Sequence, residues 1–181
     1  MKDYANSGMD IQSAMVDMVK THPDKGRRPD HILWDGRKVR TMHWVQVPNE
    51  FQLTLEFLSE PNIDQAADIK VEDGYLTLAA GEHVSLLRTW HDPNYESKVQ
   101  YTGHSRTGRI LVYNVSRLAR AGRMSEEKWT GNAGMLVEQT GPREWLYRCS
   151  SAVSSPPDFG DIVFRVIINE TGANNCVEQT A

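Results

Sequence analysis

The chain has 181 residues, of which 39% are apolar and 24% charged, with a formal net charge of −4 at neutral pH; this is one ordinary globular domain, able to bury a core without metals or disulfides. Two cysteines, Cys149 and Cys176, are too few for a disulfide framework or an all-cysteine zinc site, and both read as free thiols. No window approaches the roughly 20 apolar residues of a membrane-spanning helix and the N-terminus has no apolar signal core, so a soluble, intracellular protein is expected.

Residues 9–20 place Ile11, Met15, Met18 and Val19 at helical spacing behind Asp10, a residue type that caps helices. A helix this short is marginal alone in water, so it has to pack on the body, pack on a neighbour, or fray. Residues 21–30, with Pro23, Gly26 and Pro29, read as a polar linker. Residues 1–30 are therefore an N-terminal arm, 31–172 a β-sandwich and 173–181 a polar C-terminal tail.

Beyond the arm the hydrophobic period changes to two. Strands are predicted over 40–47 and 51–58, separated by Pro48-Asn49; in the second, Phe51, Leu53, Leu55 and Phe57 form one apolar row. Asp73-Gly74 predicts a two-residue hairpin turn. Further strands are expected over 83–90 and 98–102, and Arg109–Val115 is apolar enough to be buried on both faces. Ser116–Met124 reads as one or two helical turns behind a serine cap, with Leu118 inward. Residues 134–140 and a closing hairpin, 144–150 and 162–169, complete the set. In that hairpin Ile162, Phe164, Val166 and Ile168 form an unbroken apolar row, and Trp145, Tyr147 and Cys149 share a face. About eight short strands with almost no helix predict an all-β fold, an eight-stranded jelly-roll sandwich with a short N-terminal helical arm.

Charge is unevenly placed. Basic stretches around Lys20–Arg40 and Arg106–Lys128 flank an acidic one from Glu50 to Glu82; the two readings are a solvated mixed surface and a side that faces a polyanion. Catalytic signals are weak. The six histidines show no metal-ligand spacing, and Gly103-His-Ser-Arg-Thr-Gly fits neither a nucleophile elbow nor a phosphate loop. Glu60, Asp64 and Asp68 stand four apart and would stack on one helical face, but without a calcium-loop spacing they read as an acidic loop. The five tryptophans read first as core or interface residues and second as a sugar platform. No catalytic residue, metal ligand or cofactor is assigned, and enzymatic activity is not expected.

Leu146-Tyr-Arg-Cys-Ser-Ser-Ala followed by Phe159-Gly-Asp-Ile-Val-Phe-Arg-Val-Ile-Ile resembles the last two strands of jelly-roll coat proteins of small icosahedral positive-strand RNA plant viruses, bromovirus-like and tombusvirus-like. Thr107-Gly-Arg-Ile-Leu-Val-Tyr-Asn is similar to their central strand. The resemblance covers about a quarter of the chain. It implies a capsid subunit that assembles with copies of itself around RNA, found in the virion and, during assembly, in the host cytoplasm. The RNA-binding residues on that reading are Lys20, Lys25, Arg27 and Arg28 in the arm, then Arg37, Lys38 and Arg40, through phosphate contacts that ignore sequence. The arm is only mildly basic, since Asp3, Asp10, Asp17, Asp24 and Asp30 are interspersed. The alternative is a soluble β-sandwich binding module for a glycan, a lipid headgroup or a protein partner, using exposed tryptophans and loops such as His91-Asp-Pro-Asn-Tyr.

Overall fold

A computed structural model describes residues 2–24, 29–59, 64–94, 96–120 and 122–171. The N-terminal helix α1 (Ile11–Thr21) starts where the sequence places it, with the Asp10 carboxylate accepting from the Ser13 N–H at 2.7 Å. Three contacts dock it. Ile11, Ala14 and Met15 are buried in a cluster with Tyr4, Ile32, Trp34 and Val39. The Ile11 N–H donates to the Asn132 side-chain oxygen, and the Gln12 N–H donates to the Gly131 carbonyl. A side chain at Gly134 would begin 2.8 Å from the Ile11 Cδ1, so glycine there lets the helix come close. Among the described residues no helix is long and apolar enough to cross a membrane.

The rest of the described chain is strand upon strand: β1 (Ile32–Trp34), β2 (Arg37–Arg40), β3 (His43–Gln46), β4 (Glu50–Phe57), β5 (Gln65–Val71), β6 (Gly74–Thr77), β7 (His83–Val84), β8 (Leu86–Trp90), β9 (Lys98–Ser105), β10 (Arg109–Arg120), β11 (Arg123–Glu127), β12 (Gly134–Gly141), β13 (Glu144–Ser150) and β14 (Ile162–Glu170). They make two antiparallel sheets. One runs β1-β2-β12-β13-β14-β4-β9-β6-β7; the other runs β11-β10-β5-β8, with β3 also paired to β10.

The closing hairpin sits in the middle of the larger sheet. Its pairing with β4 sets Ile168 opposite Leu53, Val166 opposite Leu55 and Phe164 opposite Phe57, so two apolar rows predicted separately become one band. On the other side Tyr147 stacks on Phe164 with ring centroids 4.8 Å apart. The row Ile162, Phe164, Val166 and Ile168 is buried in one cluster with Ile69, Val71, Ile110 and Val112 of the smaller sheet. β10 is central and buried on both faces from Ile110 to Ser116, as its continuous apolar run predicts.

Four expectations need correction. Residues 40–47 are not one strand: β2 lies in the larger sheet and β3 in the smaller, with Thr41-Met42 crossing between them. The predicted strand 83–90 splits in the same way at Ser85 into β7 and β8. Asp73 does adopt the left-handed backbone of a tight turn, φ +48°, yet β5 and β6 belong to different sheets. The turn is a corner, not a ladder hairpin. Arg109 donates twice to Glu72 and Arg106 twice to Asp73, while Gly74 abuts the His104 carbonyl so closely that β6 pairs with β9. Finally, Ser116–Met124 is not helical. β10 continues to Arg120 and β11 returns along it, because Ser116 and Leu118 keep the inward period of two and β11 supplies backbone partners.

Candidate ligand-binding cleft

The two basic stretches do not form one anion-facing surface in the described residues. Lys25, Arg27 and Arg28 lie outside the described residues. Lys20 is exposed in the last turn of α1. Arg37 lies over the Phe159 ring at 5.2 Å, Lys38 is exposed, and Arg40 is ion-paired with Asp30. Successive residues of a strand face opposite ways, so Arg37 is on one face of β2 and Lys38 is on the other. The second basic stretch is engaged with the acidic one. Arg109 pairs with Glu72, Arg106 with Asp73, and Arg117 with Asp64 as well as with Glu126 of its own stretch. Arg88 holds the fully buried Asp68 through two 2.7 Å bonds. Hydrogen bonding from Arg109 draws the Glu72 carboxyl below its ordinary range. Blocks of opposite charge that look separate along the chain are thus laced together across strands. Asp68 stands on β5 rather than a helix, so it does not stack with Asp64, and Glu60 is outside the described residues. Among the described residues no group of three or more metal-ligating side chains converges.

A different region carries unexplained polarity. Residues directly opposite each other in a ladder share a face, so the inner face of the smaller sheet can be read row by row. Toward one end the rows are apolar: Ile110 with Val71, Val112 with Ile69. Toward the other end they turn polar: Asn114 with Ala67 and Thr89, then Ser116 with Gln65. The Asn114 side chain donates to the Ser150 carbonyl on β13, which fixes this face as the one that looks at the larger sheet. Gln65 and Ser116 have no exposed surface. Neither the oxygen nor the nitrogen of the Gln65 amide, nor the Thr89 and Ser116 hydroxyls, has a hydrogen-bond partner among the described residues. Such groups ordinarily find partners in folded proteins, because leaving one buried and unpaired costs about 1–3 kcal/mol.

Thr89, alone of the three, also lines a cleft. The chain leaves β8 at Trp90, and the His91 N–H donates to the Gln65 carbonyl at 2.9 Å, which carries the polar row out to His91. The His91 ring meets Phe57 of the larger sheet edge-on, with centroids 5.3 Å apart, so this ring pair spans the gap between the sheets. Around it opens a cleft of about 710 Å³ lined by Phe57, Leu58, Thr89, Trp90, Asp92 and Glu96, among others. Leu58 is an exposed apolar side chain on its wall. The loop His91-Asp-Pro-Asn-Tyr singled out in the sequence forms part of this mouth, although Tyr95 is outside the described residues. The buried polar row beside it is the part that sequence reasoning missed. Its signal is present in retrospect: the row Gln65, Ala67, Ile69, Val71 begins with an amide in an otherwise apolar series.

The tryptophans divide between structure and surface. Trp145 packs on the main core, and Trp129 packs on Tyr113 at 5.1 Å. Trp90 carries the Arg117 guanidinium over its ring at 3.9 Å, and Trp44, well exposed, carries Arg109 at 4.8 Å. They do not line up as one platform. No protein-family model matches this chain, and no curated protein matches it.

Proposed function

We propose that the chain is a β-sandwich binding module that receives a small hydroxyl-bearing ligand of the glycan class in the cleft between its sheets, and that its role is binding rather than catalysis. One observation carries the reading: a cleft of about 710 Å³ between the sheets whose lining mixes apolar Phe57 and Leu58 with polar Ser59, His91, Asp92, Glu96 and Ser97. A ligand hydroxyl both donates and accepts, so a polyol suits the polar part of this lining where a hydrocarbon would not. Phe57 and Leu58 give its apolar faces a wall. Titration of the isotope-labelled full chain with neutral mono- and disaccharides tests this by NMR. Shifts at Thr89, His91 and Ser97, which line the cleft, are expected. If no sugar moves these signals, and the Gln65 amide instead shows cross-relaxation only to water, the polar row houses buried solvent and the reading fails.

A self-assembling RNA coat subunit is the second reading, and strand pairing supports it. β4 pairs with β14, β5 with β10 and β6 with β9, a nested set like that of a long hairpin rolled across two sheets, which is the jelly-roll principle. On this reading the residues that contact phosphate come from the set Lys20, Lys25, Arg27, Arg28, Arg37, Lys38 and Arg40. Electron microscopy and size-exclusion chromatography of the purified chain with RNA test it. Shells whose RNA content falls steeply with salt are expected; a monomer under every assembly condition sinks it.

A further inference from the structure

We propose that the free edge of β3 is a docking edge and that residues 172–181 of the same chain fill it as one more antiparallel strand. Among the described residues β3 pairs with β10 and with no other strand. The Val47 N–H donates to the Gly108 carbonyl at 2.9 Å, and backbone groups alternate along a strand, so His43 and Val45 also turn their N–H and C=O groups toward β10. Those of Trp44 and Gln46 point the other way and have no hydrogen-bond partner among the described residues. Two such residues at a spacing of two are a template for an added strand.

The space beside that edge is a groove with a second wall. It measures about 620 Å³ and is lined by His43 to Gln46, by Val47 and Pro48, and by no residue of β10, so it lies on the free side of β3. Its other wall belongs to the larger sheet. Gln139 and Trp145 stand in one cross-strand row with the core residue Val166, so they face inward, yet Trp145 is only half-buried. A strand laid along β3 covers that ring.

Three observations select the occupant. Glu170, the last residue of β14, lines the same groove and pairs at 2.5 Å with Arg143, which also lines it, so the chain beyond β14 departs from the groove itself. Direction fits as well. Glu170 stands opposite Phe51 of β4, and Val47-Pro48-Asn49 joins β4 to β3, so a chain leaving Glu170 meets β3 at its Gln46 end and runs antiparallel to it, as neighbouring strands do in both sheets. Ten residues reach about 33 Å when extended, well beyond the roughly 13 Å that β3 spans. Composition is the third. Val177-Glu-Gln-Thr180 repeats Val137-Glu-Gln-Thr140, which is strand in β12, and residues 172–181 hold no proline and one charged side chain, Glu178.

A nitroxide on Cys176 of the isotope-labelled full chain tests this, since Cys149 is fully buried and stays unmodified in the folded protein. Broadening of the Trp44 and Gln46 amide signals and of the Trp145 indole is expected, and in the chain without nitroxide the two amides should exchange at least about tenfold more slowly than in an open chain. Two variants separate docking from folding. Gln46→Pro removes an N–H that β10 does not use, and it should abolish the broadening at Trp44. Val177→Asp alters only the added segment, and it should return the Trp44 and Gln46 amides to open-chain exchange. In both, the ladder amides of Val45 and Ile110 should stay protected. No broadening in the unmodified sequence, or open-chain exchange at Trp44 and Gln46, overturns the proposal. Broadening that appears on isotope-labelled chains without nitroxide when they are mixed with nitroxide-bearing chains means that a second copy supplies the strand, and this overturns docking within one chain.

Discussion

The inner face of the smaller sheet is built in two different ways along its length. At the β3 end Val45, Ile110, Val71 and Val112 are buried against the larger sheet, and the polar side chain there, His43, has its Nδ1 3.0 Å from the Tyr147 hydroxyl. At the β8 end the side-chain polar atoms of Gln65, Thr89 and Ser116 are buried without partners among the described residues, and Thr89 borders an open cleft. The contrast separates two jobs within one face. Apolar rows contribute stability in proportion to the area they remove from water, whereas an unpaired amide costs stability unless something else completes its hydrogen bonds. Polarity at the β8 end is therefore the more informative feature about function.

The contrast can be broken at its strongest point first. Phe164→Ala removes a fully buried ring that stacks on Tyr147 and faces Phe57, and it should cost about 3–5 kcal/mol in denaturant unfolding. A cost under about 1 kcal/mol would mean that the closing hairpin is not the centre of the core. A smaller effect is expected from pH. Burial pushes the His43 imidazole down from 6.5 to about 4, with the nearby Arg40 charge adding to this. In the window between those values the unfolded chain binds a proton that the folded chain refuses, so stability is full above it and is lost as pH falls. The loss approaches about 3 kcal/mol near pH 4. His43→Phe should flatten the stability profile over that window, and an unchanged slope would show that other groups set it. The smallest effect belongs to the β8 end. Gln65→Leu replaces an unpaired amide with a side chain of similar volume and should change stability by less than about 1 kcal/mol, in the stabilising direction. A melting point lowered as far as that of the Phe164 variant would make Gln65 a structural residue and remove the distinction between the two ends.

How far each region was legible follows from what a strand pattern encodes. The rows Phe51-Leu53-Leu55-Phe57 and Ile162-Phe164-Val166-Ile168 are readable because alternation needs only neighbours two apart. Sheet identity is not readable that way. Neither Thr41-Met42 nor Ser85 carries a Gly or Pro to mark where the chain passes from one sheet to the other, so single predicted strands became pairs. Ser116–Arg120 misled for a related reason: Leu118 alone is compatible with either period, and only the return of β11 decides for strand. The cleft was half visible. His91-Asp-Pro-Asn marks a loop by composition, but nothing local says that across a cleft it faces Phe57 and Leu58, which are more than thirty residues earlier in the chain.

The amino-acid sequence by itself determined that this protein is a two-faced antiparallel β structure with a capped N-terminal helix, because period, capping and turn chemistry are properties of neighbouring residues. Tertiary structure alone decided which basic residues are neutralised by which acids, where the chain changes sheet, and which polar side chains are left unpaired in the interior. Those outcomes depend on contacts between residues such as Arg109 and Glu72, or Gln65 and Ser116, that are 37 and 51 positions apart, and cross-strand register, not local preference, brings such residues together.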